Sequence, residues 1–380
     1  MIIEICLSFF GLGAVMRRAR QEVQALLNAG HEVTVITDLK YLKYLRSFKN
    51  FRGKLYIKPI KLLYIYRFRK ISSELSFAFQ IYYALKSIMK KSKIDLIIAH
   101  GTTYCYGVAP FANKYNIPAT WVIHDLIKDR IATGNPYNRW ETLLYKHANR
   151  YAITKIPLLI ATSNYSKKLV LIEGAKPESV FIKYNPVDTN LFSPDRNVNK
   201  NIDILFIGRF SVEKGVDILI ESTKLLSKKM KILLIGDGPL KNKLIKQTNE
   251  AKQDIKFAGW IAFDDLPYYI RRSKLVVTPS RSECHATVPL LAMSCAVPVV
   301  ASGVAGMEDS IDDKKNGWLL VKNNAETLGE LLEQIFSDEN KLKTMAEEAL
   351  IKAELFSEAK FNVEIVRFYE DLIKNFKKNS

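Results

Sequence analysis

A strand, a glycine turn, a helix and a second strand open the chain, and that order leaves few folds available. Ile2 to Phe9 is an apolar run of strand length, and Gly11-Leu12-Gly13 is a turn. Ala14 to Asn28 then spaces Val15, Ala19, Val23, Leu26 and Leu27 along one helical face and closes at Gly30. Glu32 to Thr37 is the next strand. A helix crossover returns the chain in the direction it left, so the two strands are parallel and an α/β fold is expected.

The cadence continues. Asp95–His100, Ala119–His124, Leu158–Thr162 and Val180–Tyr184 read as strands of the first half, with a helix over Glu74–Lys90. Asp203–Ile207, Lys231–Ile235, Ile255–Gly259, Lys274–Thr278 and Val297–Ser302 read as strands of the second, with a helix over Val216–Leu226 and helices filling Ala325–Asn375. At 380 residues the chain is long for a single core, so two domains are expected. The polar linker Thr189–Asn201, with Pro194, sets the boundary: residues 1–188 form one Rossmann-like, doubly wound domain and 189–361 another.

Charge is distributed unevenly. Of a net +18, the stretch Leu39 to Lys93 carries fifteen Lys or Arg against the single acid Glu74, a local +14, with Tyr41, Tyr44, Phe48, Phe51, Tyr56, Tyr64, Tyr66 and Phe68 interleaved. Cations beside aromatics suit the headgroup layer of an anionic membrane, each contributing about 1 kcal/mol. Nucleic acid would accept the same mixture, and a solvated basic face is the plain alternative. No signal peptide opens the chain and no apolar run reaches spanning length, so the expected place is cytoplasmic.

Metal and disulfide chemistry find little here. Cys6, Cys105, Cys284 and Cys295 lack zinc or disulfide spacing, as do the five histidines, and there is no Asp-x-Asp. Neither a metal nor a cofactor is expected. Gly11-x-Gly13, followed by Asp38, invites a dinucleotide reading, but Met16 stands where a small residue should let the helix approach the strand.

The densest motif is Pro279 to Val300, PSRSECHATVPLLAMSCAVPVV. Its strand, loop, helix order sets a helix N-terminus beside Glu283, a seat for a phosphate that carries a sugar. Gly208-Arg209-Phe210 and Glu213-Lys214-Gly215 form a second motif, placed at a strand end ahead of a helix.

Together these motifs resemble glycosyltransferase family 4, retaining enzymes of GT-B fold whose two Rossmann-like domains face across a cleft. Pro279, Ser280, Arg281, Glu283, Ala292, Met293, Pro298, Val299 and Val300 fall in place. Cys284 stands where the family has Gly, and Leu291 where a second Glu would hold the ribose hydroxyls. The resemblance implies transfer of a sugar, with retention, from a nucleotide-diphosphate donor such as a UDP- or GDP-sugar to a glycan or lipid-linked hydroxyl, a hexosyltransferase reaction. It implies that Arg209 and Lys214 neutralise the diphosphate and that Glu283 steadies the sugar. Main-chain atoms of Phe257 and Ala258 read the base, and the turn His285, Ala286, Thr287, Val288 and Leu291 completes the donor site. Gly13 holds donor phosphate or acceptor, and His124 reaches the transferred sugar. On residues alone, His124 could equally cap its strand through Asp125. The resemblance further implies a terminal helix, about 362–378, folded back on the first domain, and an N-terminal domain docked on a membrane. No nucleic-acid partner is expected. The departures at Leu291 and Cys284 leave a second reading open: a nucleotide-sugar-binding protein of this fold with impaired catalysis.

Overall fold

The computed structural model describes residues 1–6, 13–42, 53–61, 69–124, 126, 139–283 and 287–379, except the side chains of 69–74, 139, 305, 339 and 379. The chain divides into two compact units, one holding the described residues as far as Asn185 together with the segment from Ala359, the other spanning Pro186–Glu358.

The first unit is a seven-stranded parallel sheet. Its strands are β1 (Ile2–Ile5), β2 (Val33–Asp38), β3 (Leu55–Ile60), β4 (Leu96–Ala99), β5 (Ala119–Ile123), β6 (Leu158–Ala161) and β7 (Val180–Ile182), in the order β3-β2-β1-β4-β5-β6-β7. Every residue of β1, β2, β4 and β5 is buried, which is why these strands read as largely apolar runs, broken by Glu4 in β1 and by Thr34, Thr37 and Asp38 in β2, and not as alternating ones. Helices Ala14–Asn28, Cys105–Tyr115 and Glu358–Asn379 pack apolar residues against the sheet; Phe361, Ile365, Tyr369 and Leu372 of the last share a core with Val23, Leu26 and Val35.

The second unit is a six-stranded parallel sheet of β8 (Ile202–Ile207), β9 (Lys231–Ile235), β10 (Asp254–Gly259), β11 (Ser273–Thr278), β12 (Val299–Ser302) and β13 (Trp318–Leu320), ordered β10-β9-β8-β11-β12-β13. Both orders reverse direction once, between β1 and β4 in one unit and between β8 and β11 in the other. Outside the carboxyl ends of the strands at such a switch point, adjacent loops part and leave room for a ligand.

Three of the longer elements of the first unit escape the sequence reading. Strand β3 lies inside the basic stretch and contains Pro59, which an edge strand accommodates because one side of its ladder is open. Helix Cys105–Tyr115 carries Gly107 and Pro110, both poor helix formers. Gly107 is needed: a Cβ there would lie 2.1 Å from the carbonyl oxygen of Ala78 on the neighbouring helix Arg69–Met89. Helix Arg139–Lys155 is the third, with Trp140 and Leu143 exposed near its start. Cys6, Cys105 and Cys295 are buried free thiols, as their apolar settings suggest. No described helix is long and apolar enough to cross a membrane.

Candidate functional site

In the second unit, residues at the ends of β8 and β11 meet. After β8 the chain passes Gly208 and Arg209 and makes a single helical turn, Val212–Lys214, closed by Gly215 in the left-handed region at φ 65°. A Cβ on Gly215 would stand 1.9 Å from the carbonyl oxygen of Pro279, so glycine is what lets this loop seat directly on the end of β11. The Lys214 side chain runs past Gly208 and ends in an ion pair with Glu283. Both groups are partly shielded from solvent, which strengthens their attraction relative to a surface pair. Arg209 is exposed and has no ion-pair partner among the described residues.

Arg281 fixes the loop that carries Glu283. Its guanidinium forms a fork on Asp217, at 2.8 and 2.7 Å, and donates to the carbonyl of Val212 at 2.8 Å. Its backbone N–H reaches the carbonyl of Glu213 at 2.7 Å. Burial disfavours the Asp217 carboxylate, but the hydrogen bonds and charge of Arg281 outweigh that and hold it below the usual carboxylate range. Asn323 donates to the carbonyls of Pro279 and Ser280 at 3.1 and 3.0 Å, and Gly306 N–H reaches the carbonyl of Glu283 at 3.2 Å. The β8 and β11 loops are therefore joined by two ion pairs and by backbone contacts.

The other donor-side positions fall around this core. Phe257 and Ala258 lie on β10, the edge strand, where the pairing with β9 jumps from Phe257–Leu234 to Gly259–Ile235. Ala258 is the extra residue of that bulge, so its main chain is released from the ladder and can meet a ligand. Phe257 packs its ring edge-on to Phe210, at 5.8 Å between centroids. Thr287 and Val288 begin the helix Thr287–Ser294, while Leu291, 3% exposed, points into the core and offers no hydrogen bond. Cys284, His285 and Ala286 lie outside the described residues, as do Gly11, Leu12 and Asp125.

In the first unit, Gly13 caps the helix that follows β1, at φ 142°, and His124 stands at the end of β5. Beneath them is a buried charge cluster that the sequence reading missed. Glu4 of β1, Arg18 and Glu22 of the first helix, His100 at the end of β4 and Tyr369 of the terminal helix are all fully shielded. Arg18 Nε donates to Glu22 at 2.9 Å and its guanidinium also reaches the Tyr184 carbonyl, stacking 4.1 Å over the Phe361 ring. Tyr369 Oη donates to Glu22 at 3.2 Å. His100 Nε2 contacts Glu4 and lies 3.0 Å from Glu22, while its Nδ1 is 2.9 Å from Nε2 of His124.

Electrostatics follow from that arrangement. Burial works against charge on His100, yet the two carboxylates overcome it and raise the imidazole to about 9. Burial also opposes ionisation of Glu22, and Arg18 with His100 bring it down to about 2. Burial dominates at Glu4, raised to about 7, and His124 is driven well below its ordinary value by burial and by the neighbouring His100. One oxygen each of Glu4 and Glu22 and one nitrogen of His100 lie within 4.8 Å of one another, but Arg18 and the imidazolium already match the two carboxylates in charge. The signal in the sequence was Glu4 inside an apolar strand and an Arg-x-x-x-Glu pair on the buried side of the first helix.

Comparison with known proteins agrees with this picture. Residues 15–191 match the family model described as Glycosyltransferase Family 4, and residues 188–351 the model described as Glycosyl transferases group 1. An uncharacterized glycosyltransferase of Methanocaldococcus jannaschii is 31% identical over 303 residues, 78% of this chain and 81% of that one. A D-inositol 3-phosphate glycosyltransferase of Corynebacterium aurimucosum is 23% identical over 237 residues, 56% of each chain. Among solved structures, sucrose-phosphate synthase from Thermosynechococcus elongatus superposes with a TM-score of 0.82 at 19% identity, covering 98% of this chain and 99% of that one. The Anabaena protein HepE in complex with UDP-glucose gives 0.76 at 20% identity, over 97% and 99%. At such identities these two structures establish the shared fold.

Proposed function

The chain belongs to glycosyltransferase family 4 and is an enzyme of GT-B fold, and from that premise we propose that it moves a sugar, with retention, from a nucleotide-diphosphate donor to a hydroxyl of a glycan or lipid-linked acceptor, without a divalent metal. The second unit takes the donor. The observation that carries the reading is the meeting of Lys214 and Glu283 across the β8–β11 switch point, with Arg209 exposed earlier on the same β8 loop.

Breaking the glycosidic bond leaves negative charge on the departing diphosphate and positive charge on the sugar. Fixed cations aimed at the first and a carboxylate aimed at the second act most strongly in the transition state, where those charges are greatest. Arg209 and Lys214 supply the cations that a divalent ion would otherwise provide, and amides at the start of helix Thr287–Ser294 add partial positive charge. The Lys214–Glu283 pair is the resting form: an arriving diphosphate takes Lys214 and frees Glu283 for the sugar. The leaving phosphate guides the incoming hydroxyl on the same face, so no second carboxylate is called for, in contrast to retaining glycosidases with carboxylates about 5–5.5 Å apart. Main-chain atoms of Phe257 and Ala258 read the base, Gly13 meets donor phosphate or acceptor, and His124 meets the transferred sugar. HepE is crystallised with UDP-glucose, which makes uridine the first base to test.

The acceptor side is proposed to rest peripherally on an anionic membrane through residues 39–93. Within the described part, Leu75, Phe79 and Tyr83 lie four residues apart on helix Arg69–Met89 and are exposed, forming an apolar stripe on a basic segment.

Leu291 favours one second reading. A buried aliphatic side chain where two ribose hydroxyls need an acceptor suits a protein that binds nucleotide-sugar with impaired turnover. Labelled donor separates the two. Transfer or hydrolysis by the wild type, reduced by orders of magnitude in Glu283→Ala and Lys214→Ala with the fold retained, is expected. Binding without turnover across an acceptor panel would favour the second reading, and near-normal rates in both variants would remove the roles given to these side chains.

A further inference from the structure

The two histidines at the carboxyl ends of β4 and β5 share one hydrogen bond, and its direction determines what His124 can do. Nδ1 of His100 and Nε2 of His124 are 2.9 Å apart, the ring planes differ by 22° and the centroids are separated by 5.2 Å. That combination is an in-plane edge-to-edge bond, with the nitrogens on the line between the rings. A single proton occupies it, carried by one ring or the other.

The far side of His100 decides which ring. Its Nε2 contacts Glu4 and lies 3.0 Å from Glu22, and because Glu22 is held ionised beside Arg18, a bare lone pair there would face a carboxylate, so that nitrogen carries a hydrogen. The charged groups facing His100 are Glu4 from β1, Glu22 and Arg18 from the first helix, and Tyr369 from the terminal helix touches Glu22. Arg18 is already committed to Glu22 and to two main-chain carbonyls, so its charge reaches Glu4 only at a distance, and His100 is the basic side chain in contact with Glu4 among the described residues. The positive charge of the histidine pair therefore belongs on His100.

We propose that His100 is a positioning residue: its imidazolium, held between Glu4 and Glu22, donates Nδ1–H to Nε2 of His124 and locks His124 as the neutral tautomer with its proton on Nδ1. The upward displacement of His100 to about 9 and the downward displacement of His124 agree with this geometry. The functional consequence rests on the proposed role of His124 at the reaction centre. A ring fixed in this state is a hydrogen-bond donor to a sugar hydroxyl and takes no proton from the acceptor at neutral pH. It removes His124 as a general base and fits a reaction in which the leaving phosphate receives that proton.

The test is a nitrogen-15 NMR titration of the full chain labelled at histidine, with His31→Gln, His147→Gln and His285→Gln combined to leave only His100 and His124. The expected spectrum shows one ring protonated at both nitrogens up to about pH 8 and one neutral ring with its proton on Nδ1 that does not titrate above pH 6. A neutral ring protonated on Nε2, or a His124 midpoint near 6.5, overturns the proposal. Glu4→Gln keeps the shape of the site and removes one carboxylate, so the His100 midpoint should fall; an unmoved midpoint overturns the role given to Glu4. Turnover by His124→Ala separates the two readings: normal rates beside the expected spectrum would remove His124 from the reaction centre and leave the tautomer assignment standing.

Discussion

Single residues here act through the partner that fixes them. Arg281 acts on position: its fork on Asp217 and its bonds to the carbonyl of Val212 and from the N–H to that of Glu213 hold the Glu283 loop to the β8 loop. With each member about a quarter to a third exposed, solvent screening trims the pair, and Arg281→Ala should cost roughly 1–2 kcal/mol in urea unfolding. Arg281→Lys should not restore it, because an ammonium cannot make the fork; full recovery would show that charge alone suffices. His100 gives a pH dependence. Its folded value of about 9 exceeds the ordinary 6.5, so its contribution is complete below pH 6.5 and is lost as pH rises through about 9, on the order of 3 kcal/mol. Glu4, raised from 4.5 to about 7, loses stability with rising pH over that earlier window, whereas Glu22, lowered to about 2, contributes above pH 4.5 and fails only toward pH 2. Urea unfolding of the first unit should therefore show stability declining across pH 6.5 to 9, and a flat curve there would contradict the charge assignment. Legibility at this scale was uneven. Lys214 and Glu283 were readable because their motifs are local, whereas Arg281–Asp217 and Glu4–His100 join positions far apart in sequence that only the sheet order brings together.

Elements were the most readable scale, and the failures have physical causes. Strands β1, β2, β4, β8, β9 and β11 announce themselves because each carries Ile, Val or Leu at its buried centre, with polar residues such as Glu4, Asp203 and Lys231 at few positions. Strand β3 does not, since an edge position tolerates Pro59 and Lys58, and helix Cys105–Tyr115 hides behind a glycine required for close packing on Ala78. The register shift at Ala258 was likewise invisible, because bulges are set by neighbouring strands. Helix Arg69–Met89 carries the element-level prediction. Its exposed Leu75, Phe79 and Tyr83, with the basic segment around them, should bind anionic vesicles and release them in salt. Phe79→Glu with Tyr83→Glu should reduce co-sedimentation at least tenfold and leave turnover of a soluble acceptor unchanged; unaltered vesicle binding by that variant would remove the stripe as the docking face.

At the scale of the molecule, two parallel α/β units each carry the residues given roles here at carboxyl ends of strands at or next to the switch point of the sheet: Gly13, His100 and His124 after β1, β4 and β5 in one, Arg209, Lys214 and Glu283 after β8 and β11 in the other, where the proposed chemistry lies. The strand–helix cadence was enough to expect both sheets, and the motifs after β8 and β11 were enough to single out Lys214 and Glu283, which the second sheet brings together. The buried cluster of the first unit depends on three elements and the terminal helix closing over Glu22, which no local pattern encodes. The central claim is that Arg209 and Lys214 hold a diphosphate. Arg209 is the cleaner probe because, being exposed and unpaired among the described residues, its loss leaves no buried charge behind. The most direct measurement is calorimetric titration of UDP and of uridine into the wild type and Arg209→Ala. A charged hydrogen bond contributes about 1.5–3 kcal/mol, so UDP should weaken by roughly ten- to a hundredfold in the variant while uridine binds as before. Equal UDP affinity in the two proteins, or an equal loss for uridine, would contradict the account.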